Sequence, residues 1–151
     1  MRDKFKYKLK AVVDTNIFID GLFSSDESKK YCVKIIEMID NKKIQLLFAQ
    51  DTIGELVYVI KNFTRHNIDD IKERISILQY LMELFYYSTS INTKDAICPE
   101  INDKYDYMFL KTAITGNAEY LISDDLKSGM HNVKNLGFKI LNAKDFCMLF
   151  E

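Results

Sequence analysis

Tryptophan is absent from this chain, and its 151 residues include one proline, five glycines, three cysteines and two histidines. Cys32, Cys98 and Cys147 are scattered and odd in number, whereas a disulfide framework or a closed zinc cluster needs closer, paired spacings. Reduced packing cysteines are therefore expected. His66 and His131 follow no pattern for zinc chemistry or a serine triad. No glycine-rich phosphate loop occurs, which removes the usual basis for an ATPase or a dinucleotide-binding protein. Neither an apolar run of transmembrane length nor a signal-peptide pattern is found, so a cytoplasmic protein with no membrane association is expected.

What is present is ordinary for a globular protein: 48% hydrophobic and 28% charged residues, with ten Phe and nine Tyr for aromatic packing. One folded domain over residues 1–151 is the expectation. The net charge of -1 argues against a strongly basic coat for nucleic acid. It does not exclude a nuclease, because bound metal supplies positive charge locally. The lysines alternating between Arg2 and Lys10 read as a solvated edge strand or as a face toward phosphate.

Apolar patterning predicts a strand at Leu9–Val13, a helix or turn through Ile17–Ile19 ending near Gly21, and a helix from Ser28 to Asp40. A strand at Ile44–Ala49 follows. Thr52 begins the next helix, with Glu55 three residues on in capping-box spacing. Asp70 and Glu73 repeat that spacing before a longer helix. Its stripe of Ile71, Ile75, Leu78, Leu81, Met82 and Phe85 is expected to face the core first and a partner second. A short strand is expected near Phe85–Tyr87 or Ile97–Pro99. Asp103–Asp106 opens a helix reaching Thr115 or Gly116, Glu119–Ser123 is a strand, and Phe138–Leu141 another. Asn142 caps a final helix. Alternating strands and helices point to an α/β layer architecture.

Carboxylates fall where these elements end. Asp14 follows a strand directly, and Thr15 and Asn16 stand ready to hold its geometry; the same three residues also suit an Asx-turn or a helix cap. Glu55 and Asp106 sit near helix starts, where capping and the helix field alone favour acids. Asp124 and Asp125 close the strand at Ser123, one of them free to project into a site while the other serves the turn. Four converging acids could not all stay ionised without a cation.

Taken in order, these segments resemble the PIN-domain ribonucleases, especially the small toxin components of toxin–antitoxin pairs. Val12-Val13-Asp14-Thr15-Asn16-Ile17 is similar to the first-strand Asp-Thr-Asn signature, and Thr52-Ile53-Gly54-Glu55-Leu56 to the segment with the helix-borne Glu. Asp103 to Ala113 resembles the third motif, with Met108 where members often have lysine. Ala118 to Asp125 is similar to the fourth, with Asp124 in place of a smaller or neutral group and Lys127 where another acid often stands.

The resemblance implies a three-layer α/β/α sandwich around a central, mostly parallel sheet. It implies a metal-dependent ribonuclease with Asp14, Glu55, Asp106 and Asp125 as catalytic metal ligands for one or two Mg²⁺ or Mn²⁺ ions. Thr15, Asn16 and Ser123 would position them, and Asp103 and Asp124 are additional acids. The substrate would be RNA, with a small antitoxin and a second copy of the chain as partners. Arg65, Lys104, Lys111 and Lys127 could meet phosphate, and Tyr105 could stack on a base. The competing reading is a non-catalytic RNA-binding or toxin-related interaction protein.

Overall fold

The computed structural model describes residues 8–98, 104–125 and 137–150, with backbone alone at 104 and 105. Five strands form one sheet in the order β3-β2-β1-β4-β5: β1 (Leu9–Val13), β2 (Ile44–Phe48), β3 (Thr89–Ser90), β4 (Tyr120–Ile122) and β5 (Lys139–Leu141). Every pairing is parallel, so all carboxyl ends share one edge. From β1 the chain steps outward through β2 to β3, then returns to the other flank of β1 for β4 and β5. The order reverses between β1 and β4, the place where an open α/β sheet leaves a crevice beyond its carboxyl ends.

Side chains along each strand alternate between two cores, as the pleat requires. Ala11, Val13, Ile44, Leu46, Phe48 and Ile122 point into the larger one, which is covered by α1 (Thr15–Phe23), α2 (Lys30–Asp40), α4 (Ile71–Tyr87) and α6 (Ala143–Leu149). Val12, Leu47 and Leu121 point the other way, against Phe109, Leu110 and Ala113 of α5 (Lys104–Thr115). Helices on both faces make the expected α/β/α sandwich, and these strands have little polar patterning because both sides are buried. α3 (Gln50–Asn67) touches α1 and α4 in one layer and α5 in the other, so it lies across the boundary between them.

Several expected boundaries move for identifiable reasons. The first helix continues beyond Gly21 to Phe23, whose ring stacks on Phe63 with centroids 4.5 Å apart. α3 starts at Gln50, not Thr52. Thr52 is its third residue, and its buried Oγ1 accepts from Ala49 N (2.8 Å) and donates to Ala49 O (3.1 Å). Glu55 therefore lies outside a capping box. A 3-10 turn at Glu27–Lys29 precedes α2, with Asp26 accepting from Ser28 N.

The third strand is neither of the two expected segments. Phe85–Tyr87 stays helical, with Phe85 edge-on to Phe48, and the strand forms just after it at Thr89–Ser90. Gln45 secures that arrangement by donating to Tyr87 O and Thr89 Oγ1. The stripe expected to bury along α4 is the largest correction. Leu81 is buried and Phe85 half-buried, yet Ile71, Ile75, Leu78 and Met82 are exposed; Ile77, Tyr80 and Leu84 take the inner face instead. Asp70 does cap this helix, accepting from Lys72 N at 2.9 Å, and Asn142 caps α6 through Asp145 N at 2.7 Å. Pro99, Asp103, Lys127, His131 and the Arg2–Tyr7 stretch fall outside the described residues.

Candidate active site at the carboxyl edge

Asp14 leaves β1 in an extended conformation and is the residue before α1. Its N–H continues the sheet by donating to Ile122 O (2.9 Å), which fixes it beside the end of β4. It occupies a helix-cap position, but its side chain makes no capping hydrogen bond. Instead, the carboxylate is buried with the Ser123 hydroxyl donating to Oδ2 at 2.8 Å. Ser123 Oγ also accepts from Asp125 N at 3.1 Å, so one hydroxyl links the two aspartates.

This environment works against ionisation of Asp14. Burial pushes its carboxyl above the ordinary 3.8, the Ser123 hydrogen bond and the nearby Asn16 and Thr15 backbone oppose that rise, and the charge of Asp125 adds to it. The two backbone N–H groups favour the charged form. Among the described residues Asp14 Oδ1 has no hydrogen-bond partner, and neither does the buried Thr15 Oγ1 beside it. A buried carboxylate oxygen without a donor is costly unless some positive group completes it.

Asp106 is fully buried in the first turn of α5. It continues the stripe of Phe109, Leu110 and Ala113 that covers Val12 and Leu121. α5 packs on both β1 and β4 and leads into β4, so it runs back against the strands and its first turn lies toward their carboxyl ends. Glu55 is half-exposed in the second turn of α3, next to the buried Leu56. Among the described residues no three His, Cys, Asp or Glu side chains are grouped closely enough to hold a metal ion. The structure joins Asp14 to Asp125 and sets Asp106 and Glu55 on the helices above the same edge, without closing all four into one ligand group.

The remaining sequence candidates separate clearly. Asn16 is exposed. Asp124 turns toward the other layer: its Oδ1 accepts from Ala143 N (2.8 Å) and its Oδ2 from Cys32 Sγ (3.5 Å). Burial and that neighbouring charge push the Cys32 thiol up to about 12, leaving it inert, and none of the three cysteines is in a disulfide. Lys111 pairs with Asp51 at 3.6 Å, tying α5 to the first turn of α3, and it lies over the Tyr107 ring. Arg65 is exposed near the end of α3. Asp51 was not singled out from sequence; its place two residues past a strand end was the available signal. An open groove of about 900 Å³ lies beside it, lined by Ala49, Gln50, Asp51, Ser90, Asn92 and Lys94 among others.

Residues 10–127 match the family model for the PIN domain, a span containing Asp14, Glu55, Asp106 and Asp125. The chain belongs to the PIN domain family. No match emerges among curated protein sequences. Solved structures with the same fold include VapBC2 from Rickettsia felis, bound to a DNA fragment from its promoter. It is 14% identical with a TM-score of 0.51, covering 89% of this chain and 98% of that one. PAE2754 from Pyrobaculum aerophilum is 12% identical with a TM-score of 0.54, covering 93% of this chain and 88% of that one. At such identities the likeness concerns the fold alone. Among the described residues, no helix of this PIN domain is long and apolar enough to cross a membrane.

Carboxylate oxygens are the ligands a hard divalent cation prefers, and among the described residues Asp14 Oδ1 is a buried acceptor with no hydrogen-bond partner, although no three acids there are grouped closely enough to hold an ion.

Proposed function

We propose that this PIN domain is a divalent-metal-dependent endoribonuclease, acting as the toxin of a toxin–antitoxin pair. Asp14, Glu55, Asp106 and Asp125 are its catalytic carboxylates, and Asp14 with Asp125 forms the first foothold for Mg²⁺ or Mn²⁺, as one or two ions. Family membership supports this reading, and the buried Asp14 Oδ1, without a hydrogen-bond partner among the described residues and near the charge of Asp125, is the observation that carries it. Likeness in fold to a VapBC-type complex supports the toxin assignment and an antitoxin partner, and a homodimer belongs to the same proposal.

Bound metal would supply the positive charge that makes crowded carboxylates favourable and lowers the pKa of a coordinated water. The chain's own residues do the holding. Ser123 anchors Asp14 Oδ2, and among the described residues Oδ1 stays buried with no hydrogen-bond partner. The same hydroxyl sets the backbone of Asp125. Thr15 brings a second oxygen beside Asp14, and the groove next to Asp51 offers room for the chain flanking the scissile phosphate. One folded domain over residues 1–151 in the cytoplasm completes the proposal.

Cleavage of a broad RNA panel with Mn²⁺, compared with chelator, is the test. Wild type should cut, and Asp14→Asn and Asp125→Asn should each lose at least about a hundredfold while remaining folded. The competing reading, a non-catalytic RNA-binding or interaction protein, draws on the absence of a three-acid group among the described residues. RNA binding with no metal-dependent cleavage would decide for it.

A further inference from the structure

The groove of about 900 Å³ beside Asp51 lies between residues 48–53 and 90–94, where β2 and β3 end. Those strands are the first and second neighbours of β1 on one flank, so their ends stand roughly 5 and 10 Å along the sheet edge from that of β1. Neighbouring nucleotides of one strand can therefore reach both the groove and Asp14. Phe48, Ile53 and Ile91 give the groove an apolar lining, and Gln50, Asn92 and Lys94 are exposed at it. A recess of this volume, mostly apolar with a few placed polar groups, is the composition that takes a flat heterocycle.

Asn92 is held in place there. Ile91 N donates to Phe48 O at 2.8 Å, which carries the β2–β3 pairing one residue past the strand. Lys94 N then donates to Asn92 Oδ1 at 3.0 Å, an Asx-turn that fixes the amide. With the oxygen turned to that N–H, the outer part of the amide is its NH2 group, which donates and cannot accept. Among the described residues Asn92 Nδ2 has no partner. The carboxylate in the lining is committed elsewhere: Asp51 accepts from Thr52 N at 2.8 Å and pairs with Lys111.

We propose that this groove takes one unpaired base of the RNA and that Asn92 is a specificity-determining residue, selecting guanine or uracil over adenine or cytosine. The inference rests on the nuclease reading and names which RNA the same edge accepts. Guanine O6 and uracil O4 accept a hydrogen bond where adenine N6 and cytosine N4 donate one, so a fixed donor favours the first pair. A base stacked inside a duplex cannot enter the recess, whereas an unstacked one turns into it. Lys94, the cation of the lining, meets the phosphate backbone and carries no base preference.

With Mn²⁺ and a randomised single-stranded RNA pool, the sequenced cut ends should show guanine and uracil about tenfold over adenine and cytosine at one fixed position beside the cut. Asn92→Asp keeps an acceptor for Lys94 N and replaces the donor by a second acceptor. It should melt as wild type and shift that preference to adenine and cytosine. Lys94→Gln should weaken every sequence alike and lower the salt slope of binding by about one. Anisotropy of short labelled oligonucleotides in chelator reads recognition apart from cleavage. Wild type should hold oligo-U about tenfold tighter than oligo-C, and Asn92→Asp should not. Metal-dependent cutting without this base preference, or with one that Asn92→Asp leaves in place, overturns the proposal and spares the nuclease reading. Oligo-U preference in chelator with no cutting in Mn²⁺ keeps the base pocket and sinks the nuclease reading. Neither binding nor cutting overturns both.

Discussion

The Ser123 hydroxyl donates to Asp14 Oδ2 across 2.8 Å, joining the ends of two neighbouring parallel strands at the point where the sheet order reverses. Among the described residues the other carboxylate oxygen is buried without a hydrogen-bond partner, near the charge of Asp125. Burying an ionised carboxylate in this way is unfavourable for the fold, and that cost is measurable.

Asp14→Asn should therefore stabilise the metal-free protein at neutral pH. The folded carboxyl titrates above its ordinary 3.8, chiefly through burial, so the folded state holds the proton more tightly than the unfolded chain. Below the ordinary value both states are protonated and no penalty exists. Through the interval up to the raised folded value the penalty grows, and above it the penalty is complete. With chelator present, the gain from Asn should be about 0.5–2 kcal/mol at pH 7. Thermal melts should show it shrinking toward pH 3; a gain of equal size at both pH values would contradict the account.

The adjacent acids should behave differently. Asp124 closes the first turn of α6 through Ala143 N, so Asp124→Ala should cost about 1 kcal/mol of stability and leave RNA cleavage within a few-fold. Asp125→Asn should do the reverse, with normal melting and lost cleavage. Denaturant unfolding beside a cleavage assay separates them, and an exchange of these two outcomes would refute the assignment.

Two glycines give opposite signs on substitution. A Cβ at Gly21 would lie 2.7 Å from Cys32 O and 2.5 Å from Ile36 Cγ1, where α1 and α2 touch. Gly21→Ala should destabilise by about 1–3 kcal/mol. Gly54 in α3 has open space around it, so Gly54→Ala should stabilise by about 0.5–1 kcal/mol. Midpoints in urea check both.

Thr52→Val should cost about 1–2 kcal/mol, because the buried Ala49 N–H loses its acceptor. Thr52→Ser keeps the hydroxyl and should retain most of the stability in the same measurement.

The sheet edge was readable from sequence because Val12-Val13-Asp14 and Leu121-Ile122-Ser123 are apolar strands that stop at polar residues, and buried parallel strands need that contrast. Asp70 and Asn142 were readable as caps because a side-chain oxygen at that position has one local task. The Ser123–Asp14 bond was not readable: it joins residues 109 positions apart and depends on which strands become neighbours. α4 misled for a different reason. Its apolar residues run nearly all the way round, so helical spacing selects a stripe without saying whether core or water lies opposite. The start of α3 shifted because Ala49 supplies no side-chain signal, while Thr52 acts from inside the helix rather than ahead of it.

Anomalous diffraction from Mn²⁺-soaked crystals tests the central claim most directly. The account predicts a peak about 2.2 Å from Asp14 Oδ1, shared with Asp125 and lost in Asp14→Asn crystals. No peak at that carboxylate, or an ion bound only elsewhere on the chain, would contradict it.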